Sequence, residues 1–88
     1  MKVVALYHPQ SEHGGKVEDF ARDYERRGPG KSIELVSLET NEGAEMAKLY
    51  DITQYPAFIA KSDDGQLQKM WQGANLPIMN ELDYYSNA

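Results

Sequence analysis

A serine, an acid, a histidine and a glycine stand together at Ser11-Glu12-His13-Gly14, and a second histidine lies just upstream at His8. A serine hydroxyl attacks only when a base takes its proton, and His13 or His8 is the residue type for that task. The stretch precedes a helical pattern, so it sits where unpaired N–H groups and the helix dipole favour negative charge. That field lowers the pKa of a thiol but moves a serine hydroxyl too little to ionise it near neutral pH. No acidic orienter or oxyanion donor stands out, so the catalytic candidates are Ser11, His13 and His8 alone. The plainer reading makes Ser11 an N-cap, Glu12 a first-turn partner of the dipole, and His13 an exposed loop residue. As metal ligands, His8 and His13 have only Glu12 nearby and lack a clear third partner, so no metal site is expected.

The chain has 88 residues and no cysteine. Without a thiol there is no disulfide, no thiolate nucleophile and no cysteine metal site. The net charge is −5, which argues against nucleic acid as a partner, since neutralising phosphates needs a basic face. The length suits one domain over residues 1–88, with a single small core. No apolar run is long enough to span a bilayer, so no membrane partner is expected. The start, Lys2 to Tyr7, reads as a strand rather than a signal peptide, and a cytoplasmic location is the default expectation.

Periodicity supplies the elements that must position the Ser11–Gly14 turn. Val3-Val4-Ala5-Leu6-Tyr7 is a continuous apolar run, as in a strand buried on both faces. Val17, Phe20, Ala21 and Tyr24 follow the i, i+3, i+4, i+7 spacing of one helix face, and Gly28-Pro29-Gly30 ends that helix. Although Gly28–Ser32 imitates the tail of a phosphate loop, position 25 is glutamate and the order of helix and strand is inverted, so that reading is rejected. Ile33–Leu38 reads as a second strand, with Ile33, Leu35 and Ser37 on one face. Thr40 or Asn41 caps a short helix to Tyr50, with Ala44, Ala47 and Met46 or Leu49 facing inward. Phe58–Lys61 and Gln66–Trp71 form a hairpin about Ser62-Asp63-Asp64-Gly65. Asn75 and Pro77 open a last helix bearing Leu76, Met79, Leu82 and Tyr85.

The resulting order is βαβαββα, with the first βαβ unit a right-handed crossover. At this point the residues resemble the thioredoxin-like superfamily, in its compact, glutaredoxin-sized form. Tyr50-x-Ile52-x-x-Tyr55-Pro56-Ala57-Phe58 is similar to the family's segment before its cis-proline. Asp63-Asp64-Gly65 falls at the hairpin turn, and Gly73 matches the glycine that opens the last helix. The resemblance implies an α/β domain, a minimal thioredoxin fold with a four-stranded mixed sheet of order 2-1-3-4 flanked by three helices. It also implies a cis Tyr55–Pro56 bond. Where the family carries its Cys-x-x-Cys, this chain carries Ser11-Glu12-His13-Gly14, aligned by placing Tyr7 at the strand end and Val17 and Phe20 on the buried helix face.

Dithiol–disulfide chemistry is therefore excluded. What remains is a groove formed by Ser11, Glu12, His13, Gly14, Tyr55 and Pro56, in which the backbone of residue 55 pairs with an extended peptide or protein segment. The expected function is that of a binding or adaptor module with no cofactor. The alternatives are a glutathione-type, thiol-handling enzyme, an enzyme using Ser11 with histidine assistance, and a structural subunit.

Overall fold

The computed structural model describes residues 2–28, 32–73, 81, 82 and 84. Strand β1 spans Lys2–Tyr7, helix α1 Gly14–Glu25, strand β2 Glu34–Ser37, helix α2 Asn41–Leu49, strand β3 Ala57–Lys61 and strand β4 Leu67–Gln72. The four strands form one mixed sheet of order β2-β1-β3-β4. β1 and β2 are parallel, while β1/β3 and β3/β4 are antiparallel. This α/β arrangement is consistent with thioredoxin-like topology. Of the three helices expected, two are present among the described residues. The last expected helix lies mostly outside them, although Glu81, Leu82 and Tyr84 are helical. No described helix is long and apolar enough to cross a membrane.

β1 is buried from Val3 to Tyr7, and its alternating side chains feed two separate cores. Val3, Ala5 and Tyr7 pack with Val17, Ala21 and Tyr24 of α1, together with Phe58 and Leu82. Val4 and Leu6 pack on the other face with Val36, Ala47, Ile52 and Ile59. Burying one such aliphatic side chain is worth about 1.5–3 kcal/mol relative to exposure. α1 turns the expected stripe inward: Val17, Ala21 and Tyr24 are buried, and Phe20 meets Phe58 edge-on at 5.4 Å.

Three local expectations are corrected. The N-cap of α1 is His13, not Ser11, and the first turn holds no acid, so Glu12 lies ahead of the helix. The chain has already turned at Ser11, whose N–H bonds the His8 carbonyl at 3.1 Å. On β2 the buried residue is Val36, while Leu35 is 39% exposed, because β2 is an edge strand covered on only part of its surface. On α2 Gly43 and Ala47 are buried and Met46 packs against the same core as Ala47, whereas Ala44 is exposed and Leu49 is 74% exposed. Thr40 caps this helix, accepting from the Gly43 N–H at 3.0 Å, and the start of α2 packs directly onto the Ser37 carbonyl.

Two adjacent glycines separate packing from propensity. A Cβ at Gly14 would overlap the Pro9 carbonyl, whereas one at Gly15 would meet nothing within 4 Å. Gly14→Ala should lower stability by about 1–3 kcal/mol through overpacking. Gly15→Ala should raise it by about 0.5–1 kcal/mol, as expected for a helical glycine in open space. Denaturant unfolding of the two variants reads the opposite signs directly.

Candidate functional site

Strand register decides what meets at the end of the sheet. β1 and β3 are antiparallel with Leu6 paired to Ala57, and β3 and β4 with Ala57 paired to Gln72. The segment leaving β1 at His8 therefore lies beside the segment entering β3 at Tyr55-Pro56, and Gln72 reaches the same end. In sheets with parallel strands, ligands commonly bind beyond the carboxyl ends of those strands.

The segment after β1 is a tight turn built from its own hydrogen bonds. Ser11 Oγ donates to the His8 carbonyl at 2.6 Å, and the Gly14 N–H donates to the Ser11 carbonyl at 3.1 Å. The His8 backbone N–H donates to His13 Nε2 at 3.1 Å. The Ser11 proton thus goes to a carbonyl rather than to an imidazole, and the one imidazole nitrogen with an assigned partner is itself an acceptor. Ser11 and Glu12 are exposed, and Glu12 has no hydrogen-bond or ion-pair partner among the described residues. Gly14 is buried as the first residue of α1.

Across the site, the Tyr55–Pro56 peptide bond is cis. The His8 ring meets the Tyr55 ring edge-on at 5.4 Å and lies 6.1 Å from the His13 ring. The structure thus brings His8, His13 and Tyr55 together. The Tyr55 hydroxyl donates to the Ile52 carbonyl at 3.2 Å. The N–H groups of Thr53 and Gln54 both donate to Gln72 Oε1, at 3.1 and 3.3 Å, and the Gly73 N–H donates to the Pro56 carbonyl at 3.1 Å. Gln72 is a positioning residue that sequence reasoning missed; its only sequence signal is a polar side chain at the end of a strand. Among the described residues, the Tyr55 N–H and C=O find no hydrogen-bond partner, although their neighbours on both sides are tied down.

A second feature was also missed. A cleft of about 380 Å³ opens on the α2 side of this site. His8 and Tyr55 line it together with Lys48 and Asp51 from the end of α2, and Leu38, Ala47 and Ile52 supply apolar surface. Asp51 adopts a left-handed conformation with φ 56°, which is uncommon for a residue other than glycine though Asp tolerates it better than most.

The chain matches no protein-family model and no curated protein. The site is therefore interpreted from its own chemistry. Among the described residues no three His, Asp or Glu side chains are grouped to hold a metal. The Tyr7 hydroxyl, at the end of β1, donates to Glu18 Oε2 at 2.9 Å. Burial, followed by that bond and the charge behind it, pushes its pKa up to about 12, so it stays protonated.

Burial, followed by the neighbouring His8, holds the His13 pKa below the ordinary histidine value of 6.5. Its accepting bond likewise requires the neutral ring. The folded state therefore resists a proton that the unfolded chain binds near pH 6.5, and stability falls as pH drops below that value through the folded pKa. NMR titration should place His13 below 6.5. In thermal melts between pH 7.5 and 5, His13→Ala should flatten the loss seen in the parent.

The N-cap position has a further consequence. The helix field fades beyond the first turn, and Ser11 stands ahead of the cap. A Ser11→Cys thiol should titrate near the free value of about 8.5, whereas His13→Cys, at the cap itself, should titrate lower. Thiolate absorbance against pH measures both.

Proposed function

We propose that this chain is a cysteine-free, thioredoxin-like binding module that holds an extended peptide segment against the backbone of Tyr55. Dithiol exchange has no place in it, because the chain carries no thiol. The observation that carries the reading is that, among the described residues, the Tyr55 N–H and C=O have no hydrogen-bond partner. Thr53 and Gln54 on one side are bound to Gln72, and Pro56 on the other is bound to Gly73. A backbone donor and acceptor left without partners on a tethered segment are what β-addition of a peptide requires. The resemblance of Tyr50–Phe58 and the sheet order 2-1-3-4 support the thioredoxin-like part of the reading. His8, His13 and the Tyr55 ring then supply contacts beside the bound segment, and Ser11, Glu12 and Gly14 belong to the turn that supports those histidines. A Ser11-based enzyme gains no support from a hydroxyl whose proton is donated to the His8 carbonyl.

Peptides selected for binding from a random library provide the test. Methylating the one peptide amide or blocking the one carbonyl that meets Tyr55 should weaken binding roughly three- to tenfold, the usual worth of one hydrogen bond. The Tyr55 amide should exchange with deuterium more slowly in the complex. Peptides indifferent to backbone methylation at every position would overturn the reading. Saturable binding of glutathione at Tyr55 would replace it with the thiol-handling alternative.

A further inference from the structure

The cleft between α2 and the His8–Tyr55 pair shares those two side chains with the proposed peptide site but carries an inference that does not use the Tyr55 backbone. Its volume of about 380 Å³ falls within the range of small-molecule sites, roughly 300–1,000 Å³. Its lining is mixed in a specific way. Ala47 and Ile52 are buried and belong to the α2-side core, giving the cleft an apolar base, and Leu38 extends that surface. Two opposite charges, Lys48 and Asp51, stand at its exposed edge.

These two charges are not used on each other. Lys48 lies in the last turn of α2 and Asp51 just beyond its end, yet no ion pair joins them, and neither side chain has an ion-pair or hydrogen-bond partner among the described residues. The backbone that carries them is fixed. The Asp51 N–H bonds the Lys48 carbonyl at 3.3 Å, and the Ile52 N–H bonds the Ala47 carbonyl at 2.8 Å. An ammonium and a carboxylate carried on a fixed backbone beside an apolar base complement a ligand that carries both charges and an apolar group. In ligand sites a few placed polar groups set the orientation of the bound molecule.

We infer that the cleft binds a free α-amino acid with an apolar side chain, its carboxylate toward Lys48, its ammonium toward Asp51 and its side chain over Ala47 and Ile52. The imidazole of His8 and the ring of Tyr55 close the far side. No bond is made or broken; the site is one of recognition.

Titration of the isotope-labelled full chain with L-leucine and L-phenylalanine, followed by amide and methyl NMR, tests this. Saturable shifts are expected at Leu38, Ala47, Lys48, Asp51, Ile52 and Tyr55. Because a hydrogen bond to a charged group is lost in each case, Lys48→Met and Asp51→Asn should each weaken binding about tenfold. N-acetyl-leucine should lose its sensitivity to Asp51→Asn, and leucine amide its sensitivity to Lys48→Met. Both substitutions lie at exposed positions, and unchanged spectral dispersion confirms that the variants fold. The proposal is overturned by no saturable shift with either amino acid at millimolar concentration, by equal binding of N-acetyl-leucine amide, or by binding indifferent to both substitutions. Shifts confined to residues 9–13 would equally overturn it by placing the ligand elsewhere.

Discussion

Everything in this molecule depends on β1 being buried on both faces. A strand with a solvated face needs one layer of cover, whereas one that is apolar at every position from Val3 to Tyr7 needs two. The pattern obliges α1 to cover Val3, Ala5 and Tyr7, and α2 to cover Val4 and Leu6. It also obliges β1 to take an interior place in the sheet, with β2 on one side and β3 on the other. The two edges of the sheet then fall to β2 and β4, whose side chains are more exposed, as Leu35 and Leu67 illustrate.

The same interior placement creates the site. Because β2 is parallel to β1 and β3 is antiparallel, the carboxyl end of β1 abuts the amino end of β3. Two connecting segments that are distant in sequence are forced together there, one held by local hydrogen bonds and the other by bonds from the end of β4. The turn from His8 to Gly14 is closed by the Ser11 and His13 side chains on the His8 backbone. The segment from Asp51 to Pro56 is closed by Gln72 and Gly73. Rigid segments on a packed scaffold are the usual setting for recognition. The chemistry they present is imidazole, the Tyr55 ring and a backbone N–H and C=O without a partner among the described residues, rather than thiol.

The turn also shows how a position can be chemically tempting and structurally occupied. Ser11 beside two histidines suggests an activated hydroxyl. In the folded chain the hydroxyl and the His13 nitrogen both bond to His8 backbone atoms, one to its carbonyl and the other to its N–H. Side-chain bonds to nearby backbone are what Ser commonly makes in turns. Such bonds stabilise the connection and direct the Ser11 proton to a carbonyl rather than to an imidazole.

By itself the sequence determined the order of the six described elements, the two-faced burial of β1, the α1 stripe, a cap at Thr40 or Asn41 and the hairpin at Asp63-Asp64-Gly65. Through its resemblance it also pointed to the sheet order and the cis bond. These are properties of local periodicity, turn chemistry and recognisable spacing, each carried within a few neighbouring residues. Only the tertiary structure decided that His13 caps α1, that Gly43 faces inward while Leu49 does not, that Leu35 is left at an edge, and that Gln72 holds Thr53 and Gln54 from across the sheet. It alone produced the cleft between α2 and His8. The reason is physical: a helix boundary shifts by a residue or two according to which backbone atoms approach it, as the Pro9 carbonyl does at Gly14. Whether an apolar side chain is covered depends on the layer above it. A hydrogen bond spanning 18 residues, like that from Gln54 to Gln72, exists only once the strands have paired.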